Sequence, residues 1–241
     1  MRYFVYLRRG PPPSADALVR VLGLSRADSD RIAKARVPQP VAVCGSADEA
    51  RERVAALNRE GLTAFAVTPQ ALRRFQPRLA ARVEPARGGL LWDDEVLGPD
   101  DVRMIVVGRF RWEVRAEAEV ARYSESSSAS EESGFLCAIR GPDDARLIVQ
   151  RECDVVRLLE RPPLTSDALF LAAARAVRAA YPKALYDDTL YRTPAPVRGL
   201  LSAASYGSDE GEIVTARAEA AGNRPWMLRM ACLLYLRAFS C

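Results

Sequence analysis

Apolar and polar positions fall into two rhythms along this chain. RYFVYL (2–7) gathers aromatic and β-branched residues into a short run that predicts a strand, and RGPPPS breaks it. From Ala15 the period lengthens: Ala15, Leu18 and Leu22 share one face of a helix that Ser14 caps and Gly23 closes in left-handed backbone. Ser25 followed by Asp28 resembles a capping box and opens a second helix over RADSDRIAKAR, which Pro38 and Pro40 end. PVAVCG (40–45) predicts a buried strand. Ser46 and Glu49 make a clearer capping box, each side chain placed to accept the other's backbone N–H. Ala47, Ala50, Val54 and Leu57 then line one helical face, while Asp48, Glu49, Arg51, Glu52 and Arg53 decorate the other. Gly61 stops that helix, and LTAFAV (62–67) alternates as a third strand. The order is β-α-α-β-α-β, which predicts a two-layer domain with helices on one face of three strands.

The pattern then loosens. Leu72, Phe75, Leu79 and Val83 are spaced for a linker helix with an arginine-rich outer face, and Gly88–Gly89 predicts a hinge. The chain thus divides into residues 1–87 and 88–241. GPDDVRMIVV (98–107) and GPDDARLIVQ (141–150) are near copies. Each predicts a turn, with Pro at its second position, that launches a strand. Their paired Asp residues suit Ca²⁺ or Mg²⁺ by type but not by EF-hand spacing. FRWEVRAEAEV (110–120) alternates without a slip and predicts a long half-buried antiparallel strand. YSESSSASEESG (123–134) predicts a polar loop. FLCAIR, ARLIVQ and DVVRLLE predict short strands of a meander with four or five members. Thr165 or Ser166 caps a helix with Leu169, Ala173, Ala176, Val177 and Ala180 as its stripe, ended by Pro182. An irregular stretch runs through Pro196. NRPWMLRMACLLYLRAF (223–239) predicts a closing helix, capped by Asn223 and apolar nearly all round, either central in a core or a homodimer contact. The expected class is α+β: a small N-terminal β-α-α-β-α-β two-layer domain, then an antiparallel-sheet domain with one or two covering helices.

Composition refines this picture at three points. The 241 residues are 49% hydrophobic and 27% charged, an ordinary globular balance. The net charge of +4 hides an asymmetry. Residues 1–87 carry 16 basic and 8 acidic groups, and residues 88–241 carry 19 and 23. Either the first part meets something anionic or the two parts attract each other. No histidine occurs, which removes imidazole acid–base catalysis, Ser-His-Asp and Cys-His nucleophiles, and histidine metal ligands. The five cysteines (44, 137, 153, 232, 241) include no C-x-x-C pair, and no leader-like segment opens the chain. Free thiols in a reducing cytoplasm are expected. No run of about 18 apolar residues occurs, so no membrane span is expected.

The segment VLGLSRADSDRIAKARVPQPVAVCGSADEARERVAALNREGLTAFAV resembles the C-terminal domain of the bacterial ribosomal stalk protein L7/L12, a fold shared with the ClpS protease adaptor. The matching marks are GLSRADS after a helix end, the proline before the middle strand, SADEA opening the third helix, and LNREGLTAFAV leading into the last strand. The resemblance covers about a third of the chain and implies a binding module without catalysis. It places partner contacts at Gly23, Leu24, Arg26 and Ala27. The histidine that ClpS uses for N-terminal residues has no counterpart here.

Three functional readings follow. The first is a non-catalytic, cytoplasmic interaction or adaptor protein with a protein partner and neither cofactor nor metal. The second is nucleic-acid binding, with Arg73, Arg74, Arg78 and Arg82 on phosphates. The third is an enzyme that works without histidine. It would use carboxylates from Asp93–Asp94–Glu95, Asp187–Asp188 or Asp209–Glu210, or Cys44, whose place before a helix N-terminus can lower a thiol pKa.

Overall fold

The computed structural model describes residues 2–7, 15–34, 38, 40–120, 123–192, 200–206 and 213–239. The class is α+β. The amino-terminal unit has the expected order: β1 (Tyr3–Leu7), α1 (Ala15–Leu22), α2 (Arg26–Ala33), β2 (Pro40–Cys44), α3 (Ala47–Arg59) and β3 (Ala64–Val67). The strands form an antiparallel sheet, β2-β1-β3, with β1 in the middle. Local chemistry sets the helix ends. Ser25 Oγ accepts the Asp28 N–H at 3.1 Å, and Ser46 Oγ accepts the Glu49 N–H at 3.1 Å. Glu49 takes the N–H of Gly45 (2.8 Å) rather than that of Ser46, so the box closes one residue earlier than expected. Gly23 and Gly61 hold φ of 64° and 76°, where a side chain would be strained.

Strand β1 alternates between two cores. Val5 joins Ala17, Leu18, Val41, Cys44, Ala50 and Leu57 beneath the helices. Tyr6, with Phe65 and Val67 of β3, packs into a second core with the last helix, α7 (Arg224–Phe239). That core also takes Met104, Val106, Phe110, Phe135, Cys137 and Leu147 from the larger sheet. Helix α7 therefore lies between two sheets, which explains a sequence apolar on every side. Its buried residues, Met227 and Met230 through Tyr235, are spent within the chain rather than on the homodimer contact considered for it. Asn223 does not cap α7 with its side chain. The Arg111 N–H donates to Asn223 Oδ1 at 2.7 Å, and the Asn223 N–H donates to the Arg111 carbonyl at 3.0 Å.

The expected linker helix is corrected. Helix α4 spans only Pro69–Arg74, because Pro77 cannot continue a helix and biases Gln76 away from helical backbone. Arg78–Leu79 (β4) then pairs in parallel with β10 (Asp144–Val149). The expected hinge is instead part of a hairpin: Arg87–Gly88 makes the tight turn between β5 (Val83–Ala86) and β6 (Gly89–Trp92), Gly89 opens β6, and β7 (Glu95–Leu97) extends the hairpin to three strands. Gly88 sits at φ 91°, and a Cβ on Gly89 would lie 1.9 Å from the Leu97 carbonyl oxygen.

The large sheet is built on β8 (Met104–Val120) and β9 (Tyr123–Gly141), paired from Met104↔Ile139 out to Val120↔Tyr123. The serine-rich segment expected as a loop is thus a strand, held by backbone bonds to β8 that its polar composition does not oppose. With β12 (Leu200–Tyr206) and β13 (Ile213–Gly222), the sheet runs β12-β13-β8-β9-β10-β4, with β11 (Leu185–Asp187) parallel to the root of β8. Strands β12 and β13 carry no sequence expectation. At its root the sheet is apolar on both faces. Met104 and Val106 face α7, while Ile105 and Val107 face α5 (Ser166–Ala180) and the three-stranded sheet. Gly108 and Gly134 make room for the rings of Phe135 and Phe170, which a Cβ would meet at 2.3 and 2.5 Å. DVVRLLE, expected as a strand, forms a 3₁₀ turn at Val156–Leu158, which the Asp154 side chain anchors by accepting the Val156 N–H. The stretch expected to be irregular contains β11 and α6 (Thr189–Arg192). Among the described residues no helix is long and apolar enough to cross a membrane.

Candidate functional site

A groove of about 730 Å³ opens at the seam where β1, α4 and α7 meet. Its polar lining is arginine alone: Arg2 before β1, Arg31 in the last turn of α2, Arg73 on α4 and Arg229 on α7. Its apolar lining is Phe4, Tyr6, Leu72, Trp226 and Met230, with Pro38, Pro40 and Pro69 between them. Each position follows from local structure. Phe4 and Tyr6 lie on the face of β1 that looks away from α1 and α3, because side chains alternate along a strand. Trp226 and Arg229, three residues apart on α7, share a helical face. Thr68 Oγ1 accepts the Ala71 N–H at 3.1 Å and Pro69 starts the helix, which fixes the short α4 that carries Arg73.

The charge of this groove is one-sided. Among the described residues no carboxylate lines it. Among the described residues, Arg2, Arg73 and Arg229 have no acidic partner, and all three are exposed. Arg31 alone is paired, with Asp28 at 3.0 Å. Half-buried Trp226 and Phe4 supply flat apolar surface beside these cations. The chemistry this suits is an anionic group next to a ring or apolar group, since a guanidinium presents a fork of donors to carboxylate or phosphate.

A second arginine cleft, of about 340 Å³, lies where β4, β7 and β10 meet and is lined by Gln76, Arg78, Glu95, Arg140, Asp143, Asp144 and Arg146 among others. Here two of the three arginines, Arg140 and Arg146, are answered by acids, while Arg78 is not among the ion pairs of the described residues. Arg140 reaches Glu95 at 2.6 Å and Asp144 at 3.2 Å. Arg146, its side chain 8% exposed, pairs with Glu95 and, at 3.1 Å, with Asp144. Burial, together with nearby Arg78, pulls the Arg146 guanidinium below its ordinary pKa, against the opposing pull of Asp94 and Asp93.

The sequence-predicted residues scatter. Of Arg73, Arg74, Arg78 and Arg82, only Arg73 enters the seam groove. Arg74 is exposed on α4, Arg78 lies in the second cleft, and Arg82 stands 3.9 Å from Glu84. They form no single ridge. Gly23 and Leu24 make the turn between α1 and α2, Ala27 is exposed in the first turn of α2, and Arg26 is tied to Asp16 and, at 3.6 Å, to Asp30. The acidic clusters do structural work. Asp93 Oδ1 accepts the N–H groups of Ala81 and Arg82, both at 2.9 Å; Asp187 accepts that of Thr189 at 2.9 Å; Asp188 pairs with Arg192 at 2.6 Å. Asp209–Glu210 lies outside the described residues. Cys44 is buried at the end of β2, and burial, reinforced by Glu49, pushes its thiol up, away from the thiolate that activation requires. Among the described residues no group of His, Cys, Asp and Glu could hold a metal ion.

The groove residues Arg2, Arg31 and Arg229 carried no expectation. The nearest signal was Arg229, a charge in the middle of a helix whose other charges, Arg224 and Arg237, lie toward its ends. No family model matches the chain, and neither a curated protein nor a solved structure does.

Proposed function

We propose that this chain is a non-catalytic recognition protein whose binding site is the seam groove, and that its partner presents an anionic group beside a flat or apolar one. The observation that carries the reading is the imbalance in the groove: four arginines over aromatic side chains, three of them without an acidic partner among the described residues. Unpaired charge of one sign in a concavity raises the local concentration of counter-charge, which steers an anionic partner there. The likeness of the amino-terminal pattern to two binding modules supports recognition over catalysis. So does the state of the candidate nucleophile, which is buried, and of the described clustered carboxylates, which apart from exposed Asp94 are committed to hydrogen bonds and ion pairs. Four described cysteines are free, which supports a reducing compartment.

The site proposed differs from the turn at Gly23–Ala27. That turn reaches the groove only through Arg31, at the far end of α2. The test is retention on an immobilised polyanion such as heparin. The full chain is expected to elute at clearly higher salt than an Arg73→Glu/Arg229→Glu double variant, with both melting at the same temperature. Equal retention of the two proteins would refute the groove as the anion site.

A further inference from the structure

Resting on that reading, the lining of the groove also distinguishes the class of anion. An acidic peptide can be gripped by its side chains on an arginine cluster, which makes no use of the flat rings here, or held through its backbone, which needs an open sheet edge to extend or an unbroken apolar trough for a helix. Neither edge nor trough is on offer. Strand β1 is the central strand of its sheet, so both its edges are already paired. Of the two edge strands, β3 adds no residue to the groove lining, and β2 enters it at Pro40, which has no N–H to donate; Pro38 and Pro69 lack one too. The apolar floor is interrupted by four guanidinium groups. Recognition must pass through side chains, and those present are cations and flat rings. Single-stranded nucleic acid is read by that pair of features: phosphates on arginine forks, and bases stacked on aromatic faces that are indifferent to sequence. A duplex offers the same phosphates but keeps its base faces inside the stack.

We propose that the seam groove binds single-stranded nucleic acid, with phosphates on Arg2, Arg73 and Arg229 and a base against Trp226. Its volume is within the usual range for ligand cavities and suits a short stretch of strand.

The experiment is fluorescence anisotropy on the full chain with three labelled probes: a single strand of about 12 nucleotides, the same sequence as duplex, and an oligo-glutamate of equal charge. Salt is varied between about 50 and 200 mM. The single strand is expected to bind at least about tenfold more tightly than either competitor, since only its bases are free to stack on the ring. Three phosphate contacts give a log–log salt slope of about −2, and Arg73→Ala or Arg229→Ala each flattens it by about 0.7. Trp226→Leu, which keeps apolar volume in the helix, is expected to cost about tenfold, and Trp226→Phe, which keeps a ring, to restore most of it.

If oligo-glutamate binds within tenfold of the single strand and is weakened by Arg73→Ala and Arg229→Ala, the anionic groove stands and the nucleic-acid assignment falls. If duplex binds as well as single strand, the stacked base is wrong. If no probe binds at low salt, or the arginine variants bind unchanged, both this inference and the groove reading are overturned.

Discussion

Two clefts in this protein gather arginines and use them in opposite ways. In the cleft between β4, β7 and β10, Arg140 and Arg146 share Glu95 and Asp144, and the arginines serve to join β10 to the hairpin of β6 and β7. In the seam groove, Arg2, Arg73 and Arg229 face no carboxylate among the described residues. The residue type is the same and the count is similar. What separates a structural cluster from a candidate site is whether the folded chain supplies the counter-charge. Buried ion pairs cost desolvation that only good geometry offsets, so a chain that puts Arg146 under cover must also bring acids to it. Exposed arginines carry no such requirement, and leaving three of them together around aromatic rings is a choice that stability does not explain.

The sharpest way to break that contrast is to truncate one arginine from each cleft. Arg146→Ala removes the more buried of the two cations that Glu95 and Asp144 share and leaves Arg140 to face both acids. Both acids are more than a third exposed, at 38% and 44%, so water screens part of the loss. The expected cost is about 2 kcal/mol, below the 3–5 kcal/mol of a fully buried pair, and the melting temperature falls by roughly 4–8 °C. Polyanion binding stays as it was. Arg73→Ala should do the reverse, moving stability by no more than about 0.5 kcal/mol while weakening binding. Thermal melts and anisotropy on the two variants decide it. Equal stability losses would mean that the arginines of the groove are structural too.

The partners that distinguish the clefts are also what the sequence hides. The amino-terminal unit was legible because its signals are local. Ser25, Ser46 and the glycines at 23 and 61 act on residues within one turn, and the observed caps and positive φ values sit where the pattern put them. Thr165 marks α5 for the same reason. The polar segment at 123–134 misled because strand formation there depends on β8, a partner already in place, rather than on its own propensity. Residues 200–206 and 213–222 gave no signal of their own, yet β12 pairs with β13, and β13 with β8 across register positions such as Glu219↔Arg115 and Arg217↔Glu117. The groove was illegible for a geometric reason. Its arginines come from residues 2, 31, 73 and 229, and only the packing of α7 against the face of β1 that carries Tyr6 brings them together.

The same accounting holds in the core, with a smaller expected effect. The Trp92 indole Nε1–H donates to the Tyr181 hydroxyl at 2.9 Å, joining residues 89 apart, and the Tyr181 hydroxyl donates on to the Leu97 carbonyl at 3.4 Å. Tyr181→Phe leaves the indole N–H buried without a partner, at an expected cost of about 1–2 kcal/mol at neutral pH. Burial pushes the Tyr181 hydroxyl up to about 12 from an ordinary 10.0. Its proton is therefore bound more tightly in the folded state. Stability from this group is complete below pH 10 and is lost as pH rises from 10 through about 12. Cys153 and Cys232, both raised to about 12 by burial, add to the same alkaline decline. Denaturant unfolding across that range should fall less steeply for Tyr181→Phe than for the parent. An unchanged slope would show that the hydroxyl titrates freely in the folded protein.

The smallest effect tests the contrast inside the groove itself, at Arg31, the one lining arginine that has an acidic partner. Asp28 accepts from Arg31 at 3.0 Å and from the Ser25 hydroxyl at 2.8 Å. The cap of α2 does not depend on its charge, because Ser25 Oγ takes the backbone N–H of residue 28 whatever side chain stands there. Asp28→Asn thus releases Arg31 while keeping the shape of the turn. If supply of counter-charge is what divides the clefts, anion affinity should rise by about two- to threefold, the equivalent of roughly 0.4–0.7 kcal/mol for an exposed pair. Asp48→Asn is the control. It removes the same charge from a pair of the same i,i+3 geometry, with Arg51 on α3, outside the groove lining. A gain confined to Asp28→Asn places Arg31 among the binding arginines. Equal gains from both variants would reduce the effect to net charge, and the groove would then hold three working cations instead of four.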